Sequence, residues 1–292
     1  MKPAPFEYHA PRVLDDALNL KNQHGDEAKI LAGGQSLVPA MNFRVVQPGV
    51  LIDLNGVAEL SYIREEGATI RIGAMARERH LEFDPLIEKR IPLLHEAVPF
   101  IAHPQIRNRG TIGGSIVHAD PAAELPMLML ALSARLKAGS PGGERWLDAK
   151  EFFAGMFTTA LRPDEMLIEI ELPFSPPRTG WSFTEVAPRM GDYAMMGVAA
   201  LVTVDEAGVC TSAKLVYLNA GDGPVEAAEA AHMLVGETIS EALIESAAAH
   251  AGEKEINPFG SMHASIEFQR HLARVLTKQA LQKALQRAGE MQ

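Results

Sequence analysis

The sequence predicts an α+β protein in two pieces, and three observations carry that prediction. Short apolar runs bounded by Gly, Pro, Asn and Asp alternate with stretches of helical period through the first part of the chain. A Pro-rich stretch, Pro173-Phe174-Ser175-Pro176-Pro177, then disfavours both helix and ladder pairing. Beyond it come three strand-like runs, followed by helical periodicity to the end. The expected domains are 1–177, in subdomains of about 1–56 and 57–177, and 178–292.

In chain order, Val13 to Asn22 sets Val13, Leu14, Ala17 and Leu18 at helical spacing, with a stop near Gly25. Ala28 to Leu31 is a short buried strand. It runs into Ala32-Gly33-Gly34-Gln35-Ser36, after which Leu37 to Phe43 starts a short helix. Val50 to Asp53 is a second strand, bounded by Pro48-Gly49 and Asn55-Gly56. Leu60 to Ile63 and Thr69 to Ile72 flank Glu65-Glu66-Gly67 as a hairpin, and helical patterns follow at Arg77 to Phe83 and Leu86 to Val98. Ala102 to Asp120 reads as a loop, Leu125 to Leu132 as a buried helix, and Arg135 to Ala138 and Met166 to Leu172 as strands. In the second piece, Trp181 to Val186, Gly197 to Val204 and Cys210 to Tyr217 suggest a three-stranded antiparallel sheet. Helices follow at Val225 to Leu234, Ile239 to Ala251 and His263 to Ala288, forming a helical bundle.

Composition narrows the chemistry. The single cysteine, Cys210, excludes an intrachain disulfide and a conventional iron–sulfur cluster held by this chain alone. The 10 histidines show no zinc spacing, so no metal ligands are assigned, and any redox cofactor must be organic or sit on a partner. A net charge of −10 argues against a nucleic-acid partner. No apolar run matches a signal peptide or a transmembrane span. The expected place is therefore the cytoplasm, with peripheral attachment at the inner face of the membrane left open.

The two glycine turns are the chemical signal. In Ala32-Gly33-Gly34-Gln35-Ser36 the paired glycines permit positive φ and close approach of a ligand, and successive N–H groups can form an anion-binding nest. Gly110-Thr111-Ile112-Gly113-Gly114-Ser115 repeats the combination, after Arg107 and Arg109. Neither turn fits a Rossmann fingerprint or a phosphate-binding loop with its lysine. On residue chemistry alone, a diphosphate held between the turns and two ligand-free turns stand as equal alternatives.

Both strings, continued by His118-Ala119-Asp120-Pro121-Ala122-Ala123-Glu124-Leu125-Pro126, by Gly191-Asp192-Tyr193-Ala194 and preceded by Phe6-Glu7-Tyr8, resemble one family. It is the medium, FAD-binding subunits of the carbon monoxide dehydrogenase and xanthine dehydrogenase type. The likeness keeps these motifs in order from about Pro5 to the C-terminal helices. It implies an FAD-binding fold of the PCMH (vanillyl-alcohol-oxidase-like) type in two subdomains, then a smaller C-terminal domain.

Carried onto this chain, the resemblance puts the diphosphate of a non-covalently held FAD on the backbone N–H groups of Ala32, Gly33, Gly34, Gln35, Ser36 and Leu37 and of Thr111, Gly113, Gly114 and Ser115. Ser115 stands where relatives often have Asn, and Gln35 where some have His. His118, Asp120 and Glu124 fall where the ribityl and adenosine portions pass, and carboxylates suit ribose hydroxyls. Asp120 is equally well a cap on the following helix, and His118 equally well an ordinary loop histidine. Tyr193 corresponds to an aromatic against the flavin ring, with Ile101 and Ala102 on the other face and Leu161 and Leu167 as apolar neighbours. Lys29 is either near the cofactor or an exposed strand-edge lysine. Arg107 and Arg109 either aid the diphosphate or anchor the loop on a partner subunit. No catalytic acid or base is assigned.

The resemblance also implies partners. A large subunit holds the molybdopterin cofactor and hydroxylates the substrate, and a small one holds two [2Fe–2S] clusters, as a dimer of heterotrimers. This chain then relays electrons through FAD to an external acceptor. Two rivals remain at this level: a stand-alone flavin oxidoreductase of related fold, and a flavin-less assembly subunit.

Overall fold

The computed structural model describes residues 2–290. It opens with β1 (Glu7–His9), α1 (Leu14–His24), β2 (Ala28–Leu31), α2 (Leu37–Asn42) and β3 (Val50–Asp53). The three strands form a parallel sheet in the order β1-β3-β2. Parallel neighbours need crossover connections, which α1 and α2 supply. Ala17 and Leu18 of α1 pack on Val50, Ile52 and Leu54. The helix ends at Gly25, where φ is 49°, as the sequence pattern requires. Strand β1 was not expected. Three residues give too little period to read, and the register of Glu7 on Val50 decides it.

Next come β4 (Ile63–Glu66), β5 (Thr69–Gly73), α3 (Glu78–Phe83), α4 (Pro85–Arg90), α5 (Pro92–Ala97), α6 (Pro104–Arg107), α7 (Ile112–His118) and α8 (Glu124–Ala131). They continue through β6 (Arg135–Ser140), β7 (Gly143–Asp148), α9 (Ala149–Phe152), β8 (Phe153–Gly155), β9 (Thr158–Thr159) and β10 (Met166–Pro173). The main sheet runs β4-β5-β10-β6-β7, antiparallel throughout. Helix α8 is buried along its whole length in the core that this sheet also lines.

Four expectations change in this region. The first arm of the hairpin is Ile63–Glu66, three residues later than read, because Glu66 pairs with Thr69 across Gly67-Ala68. The helical pattern from Leu86 to Val98 is two helices, since Pro92 lacks an N–H and pushes Ile91 out of helical geometry (φ −130°). The stretch from Ala102 to Asp120 is not a loop but carries α6 and α7, so Gly113 and Gly114 are helical. Strand β7 and the short α9, β8 and β9 were not read, being too polar or too brief for periodicity.

The chain ends with β11 (Thr179–Val186), β12 (Met196–Val204), β13 (Cys210–Leu218), β14 (Val225–Glu226), α10 (Ala228–His232), α11 (Glu241–His250) and α12 (Ile266–Glu290). The sheet β11-β12-β13-β14 is four-stranded rather than three, because Val225 pairs with Tyr217 instead of beginning a helix. Ser240 caps α11, its Oγ accepting from Leu243 N at 3.3 Å. Helix α12 lies so close on β11 that a Cβ on Gly180 would stand 2.8 Å from the carbonyl carbon of Ala284. The α+β class expected from the sequence is the one observed. Among the described residues, no helix is long and apolar enough to cross a membrane, and no His, Cys, Asp and Glu cluster is arranged to hold a metal ion.

Candidate functional site

The first glycine turn leaves β2 and enters α2. Gly34 needs its φ of +74°, which a side chain would strain. Gln35 Nε2 folds back onto the Gly33 carbonyl at 2.9 Å, and helix bonds begin only with Val38 N to Gly34 O (3.1 Å) and Ala40 N to Ser36 O (3.1 Å). No acceptor among the described residues takes the N–H of Gly33, Gly34, Gln35, Ser36 or Leu37, and the Ser36 hydroxyl makes no capping bond. Five successive donors without acceptors thus lie along one bend.

The second turn departs from expectation. Ile112 N donates to Ala76 O (3.0 Å), Gly113 N to Ala74 O (2.9 Å), Gly114 N to Thr111 Oγ1 (3.1 Å) and Ser115 N to Thr111 O (3.1 Å). These amides already have acceptors inside the protein, because Thr111 caps α7 and the helix start is stitched to the end of β5. A Cβ on Gly113 would stand 2.6 Å from that of Ala74, so this glycine serves packing. The Thr111 hydroxyl is buried and taken up by this cap, and Ser115 is half-buried.

The turns close on each other. A Cβ on Gly33 would collide with the Arg109 carbonyl and stand 2.8 Å from Gly110 Cα, and one on Gly114 would lie 3.5 Å from Ala32 Cβ. Two residues that sequence reading passed over also join them: Arg77 donates to the Arg109 carbonyl and to Asn55 Oδ1, and Asn55 donates to the Ala32 carbonyl. No sequence signal marks either residue, since their key partners are backbone carbonyls far along the chain.

Beyond α7, Ala119 adopts a left-handed φ of +50° and turns the chain toward α8. The His118 ring packs against Phe157 at 5.1 Å between centroids. Asp120 is not the cap of α8: the helix starts at Glu124, and Asp120 Oδ1 instead accepts from Ala122 N at 2.9 Å within the turn. Glu124 is buried, and burial followed by the nearby Asp120 carboxylate pushes its pKa up to about 7. Glu78 and Glu185, which sequence reading did not single out, flank it. Burial and Glu124 push each to about 8, and Oε2 of each lacks a hydrogen-bond partner among the described residues.

Tyr193 stands on the loop between β11 and β12, 71% exposed. Surrounding protein, then Asp120 and Glu124, raise its phenol above its ordinary value, so it shares their neighbourhood. The same loop leans on the other expected ring neighbours, for a Cβ on Gly191 would lie 2.9 Å from the Ala102 carbonyl. Ala102 is held left-handed (φ +43°) by Arg107, which is buried and bonds the carbonyls of Pro99, Ile101 and Ala102 and both oxygens of Glu82. Arg107 is thus an anchor of its own loop rather than a phosphate ligand. Leu167 is buried and Leu161 half-buried in the core shared with Ile101 and α8. Lys29 does not join this group. It is exposed on edge strand β2 and lines a separate hollow of about 680 Å³ with Glu7, His24 and Asp26.

Sheet order and the meeting of the two turns define an α+β protein with an amide-rich bend at its first glycine turn, and comparison with known sequences supplies the family. Residues 4–175 match the family described as the FAD binding domain in molybdopterin dehydrogenase, and residues 181–284 the CO dehydrogenase flavoprotein C-terminal domain. The chain is 43% identical to the 6-hydroxypseudooxynicotine dehydrogenase complex subunit alpha of Paenarthrobacter nicotinovorans, covering 99% of this chain and 97% of that one. It is 37% identical to the carbon monoxide dehydrogenase medium chain of Hydrogenophaga pseudoflava, covering 99% and 100%. Its structure superposes on carbon monoxide dehydrogenase from that organism, solved without the Mo-pyranopterin moiety of the molybdenum cofactor, with a TM-score of 0.95 over 98% of this chain and 99% of that one. The chain belongs to the family of FAD-binding medium subunits of molybdenum hydroxylases, and it is an oxidoreductase subunit.

Proposed function

We propose that this chain holds FAD non-covalently between its two glycine turns and passes electrons from a [2Fe–2S] cluster on a small partner subunit to an acceptor outside the complex. A large partner would hold the molybdopterin and carry out the hydroxylation, with two copies of each chain in a dimer of heterotrimers. The reading places the domains at 1–177 and 178–292. FAD supplies a group that exchanges electrons singly or in pairs, which joins a one-electron donor to a two-electron acceptor.

The observation that carries this reading is the closure of Gly33 on Arg109 and Gly110 beside five amides that have no acceptor among the described residues. Residues 33 to 37 offer N–H groups to a diphosphate without needing a lysine, and the half-buried Ser115 hydroxyl stands on the second turn. Asp120 and Glu124 suit sugar hydroxyls, with Glu124 holding its proton near neutral pH and so able to donate as well as accept. Exposed Tyr193 offers a flat face opposite the Ile101-Ala102 bend. No residue is required as an acid or base for electron relay.

The test is purification of the tagged chain from its native cell, with cofactor, iron and molybdenum analysis. Stoichiometric FAD released by denaturation, with an iron–sulfur and a molybdopterin subunit alongside, is expected. A chain that binds no FAD on reconstitution, or one that keeps it covalently and alone, overturns the reading.

A further inference from the structure

The geometry points to Arg77 and Asn55 as a positioning pair that sets the separation of the two glycine turns, and through it the fit of a dinucleotide diphosphate between them. This rests on the flavin reading above. The Arg77 guanidinium donates through Nη1 to the carbonyl of Arg109, the residue before Gly110, and through Nη2 to Asn55 Oδ1 at 2.6 Å. Asn55 Nδ2 donates in turn to the carbonyl of Ala32, the residue before Gly33, at 3.0 Å. A continuous chain of hydrogen bonds therefore runs from the root of one turn to the root of the other. It draws together four segments that are distant in sequence, at Ala32, Asn55, Arg77 and Arg109.

The residue types suit the task. A guanidinium presents a rigid planar fork that meets two acceptors at a fixed angle, and a carboxamide is the side chain that accepts at one end and donates at the other. The Asn55 amide is itself held in register. Asp53 Oδ1 accepts from Asn55 N (2.8 Å) and Nδ2 (2.6 Å), while Asp53 Oδ2 accepts from the Tyr8 hydroxyl at 2.6 Å. This network lies at the rim: Asn55 is exposed and Arg77 half-buried, and neither fills a hydrophobic core. Its work is done on the carbonyls of Ala32 and Arg109, which it holds at a set distance on either side of the Gly33 contact.

The experiment titrates FAD into the full chain, following fluorescence quenching and the visible circular dichroism of bound flavin. It compares wild type with Arg77→Ala, Asn55→Ala and the double variant, and records the thermal midpoint of each FAD-free protein. Each single change is expected to raise Kd about tenfold or more and to alter the flavin dichroism. The FAD-free midpoint should stay within about 2 °C of wild type. The double variant should bind no more weakly than the worse single one, because both residues belong to one tie. Unchanged Kd in either single variant, or independent multiplying effects, overturns the pairing. A Kd rise matched by a large fall in the FAD-free midpoint reduces the pair to a structural role and also overturns it. If Arg77→Ala fails to fold, the Kd and midpoint of Asn55→Ala decide the matter alone. Wild-type protein that takes up no FAD defeats the flavin reading itself, a result distinct from wild type binding FAD while the variants match it.

Discussion

Gly33 lies directly against the Arg109 carbonyl, with Gly110 Cα only 2.8 Å from where a Cβ on Gly33 would stand. A single methyl group there meets the Arg109–Gly110 backbone and cannot be relieved by turning a side chain. Gly33→Ala should therefore cost about 1–3 kcal/mol of stability by overpacking and weaken FAD binding together. Gly49→Ala, which would face open space, should change stability by no more than about 0.5 kcal/mol. Urea melts of the two variants check this, and equal stability for both would contradict the packing of the turns.

Stability should depend on pH through Glu78. Burial and the neighbouring Glu124 raise it to about 8 in the folded chain, against an ordinary value of 4.5, while Arg107 and Arg77 pull the other way. Between those values the folded state keeps a proton that the unfolded state has released, so stability falls as pH rises and levels off above about pH 8. Glu78→Gln should flatten part of this decline and be more stable than wild type near the top of the range. Glu124 and Glu185, raised for the same reason, leave the rest of the slope in place. Denaturant melts of both proteins across that pH range give the comparison, and parallel curves would refute it.

Arg107 has a heavier structural duty. Its removal leaves the Glu82 carboxylate without its bidentate partner and frees three carbonyls around left-handed Ala102. Arg107→Ala should lose about 3–5 kcal/mol, with FAD affinity falling as the Ile101-Ala102 bend relaxes. Arg107→Lys should recover only part, since an ammonium cannot reproduce the fork. Full recovery by lysine, seen in thermal melts, would argue against the multiple-carbonyl role.

Tyr193 is the converse case. Being 71% exposed, it can be lost with a stability change of no more than about 0.5 kcal/mol. On the flavin reading, Tyr193→Ala should shift the absorption and fluorescence of bound FAD, while Tyr193→Phe, which keeps the aromatic face, should shift them less. Spectra identical across all three proteins would remove Tyr193 from the site.

The alternation of short strands and helices, the irregular Pro-rich connection after β10 and the first glycine turn were legible in the linear chain because each depends on neighbours within a few residues. Strands 28–31 and 50–53 carry their apolar runs and turn residues locally, and α12 declares itself by length. Packing across the chain decided the rest. Gly113 and Gly114 read as loop, yet become helix because Thr111 caps them and Ala74 receives them. Val225 read as helix, yet pairs with Tyr217 as a strand edge. Glu78 and Glu185 showed nothing unusual until folding removed their water. The Asn55 and Arg77 tie was invisible for the same reason. A hydrogen bond to a distant backbone carbonyl leaves no pattern in residue order, and only the closed fold brings donor and acceptor within reach.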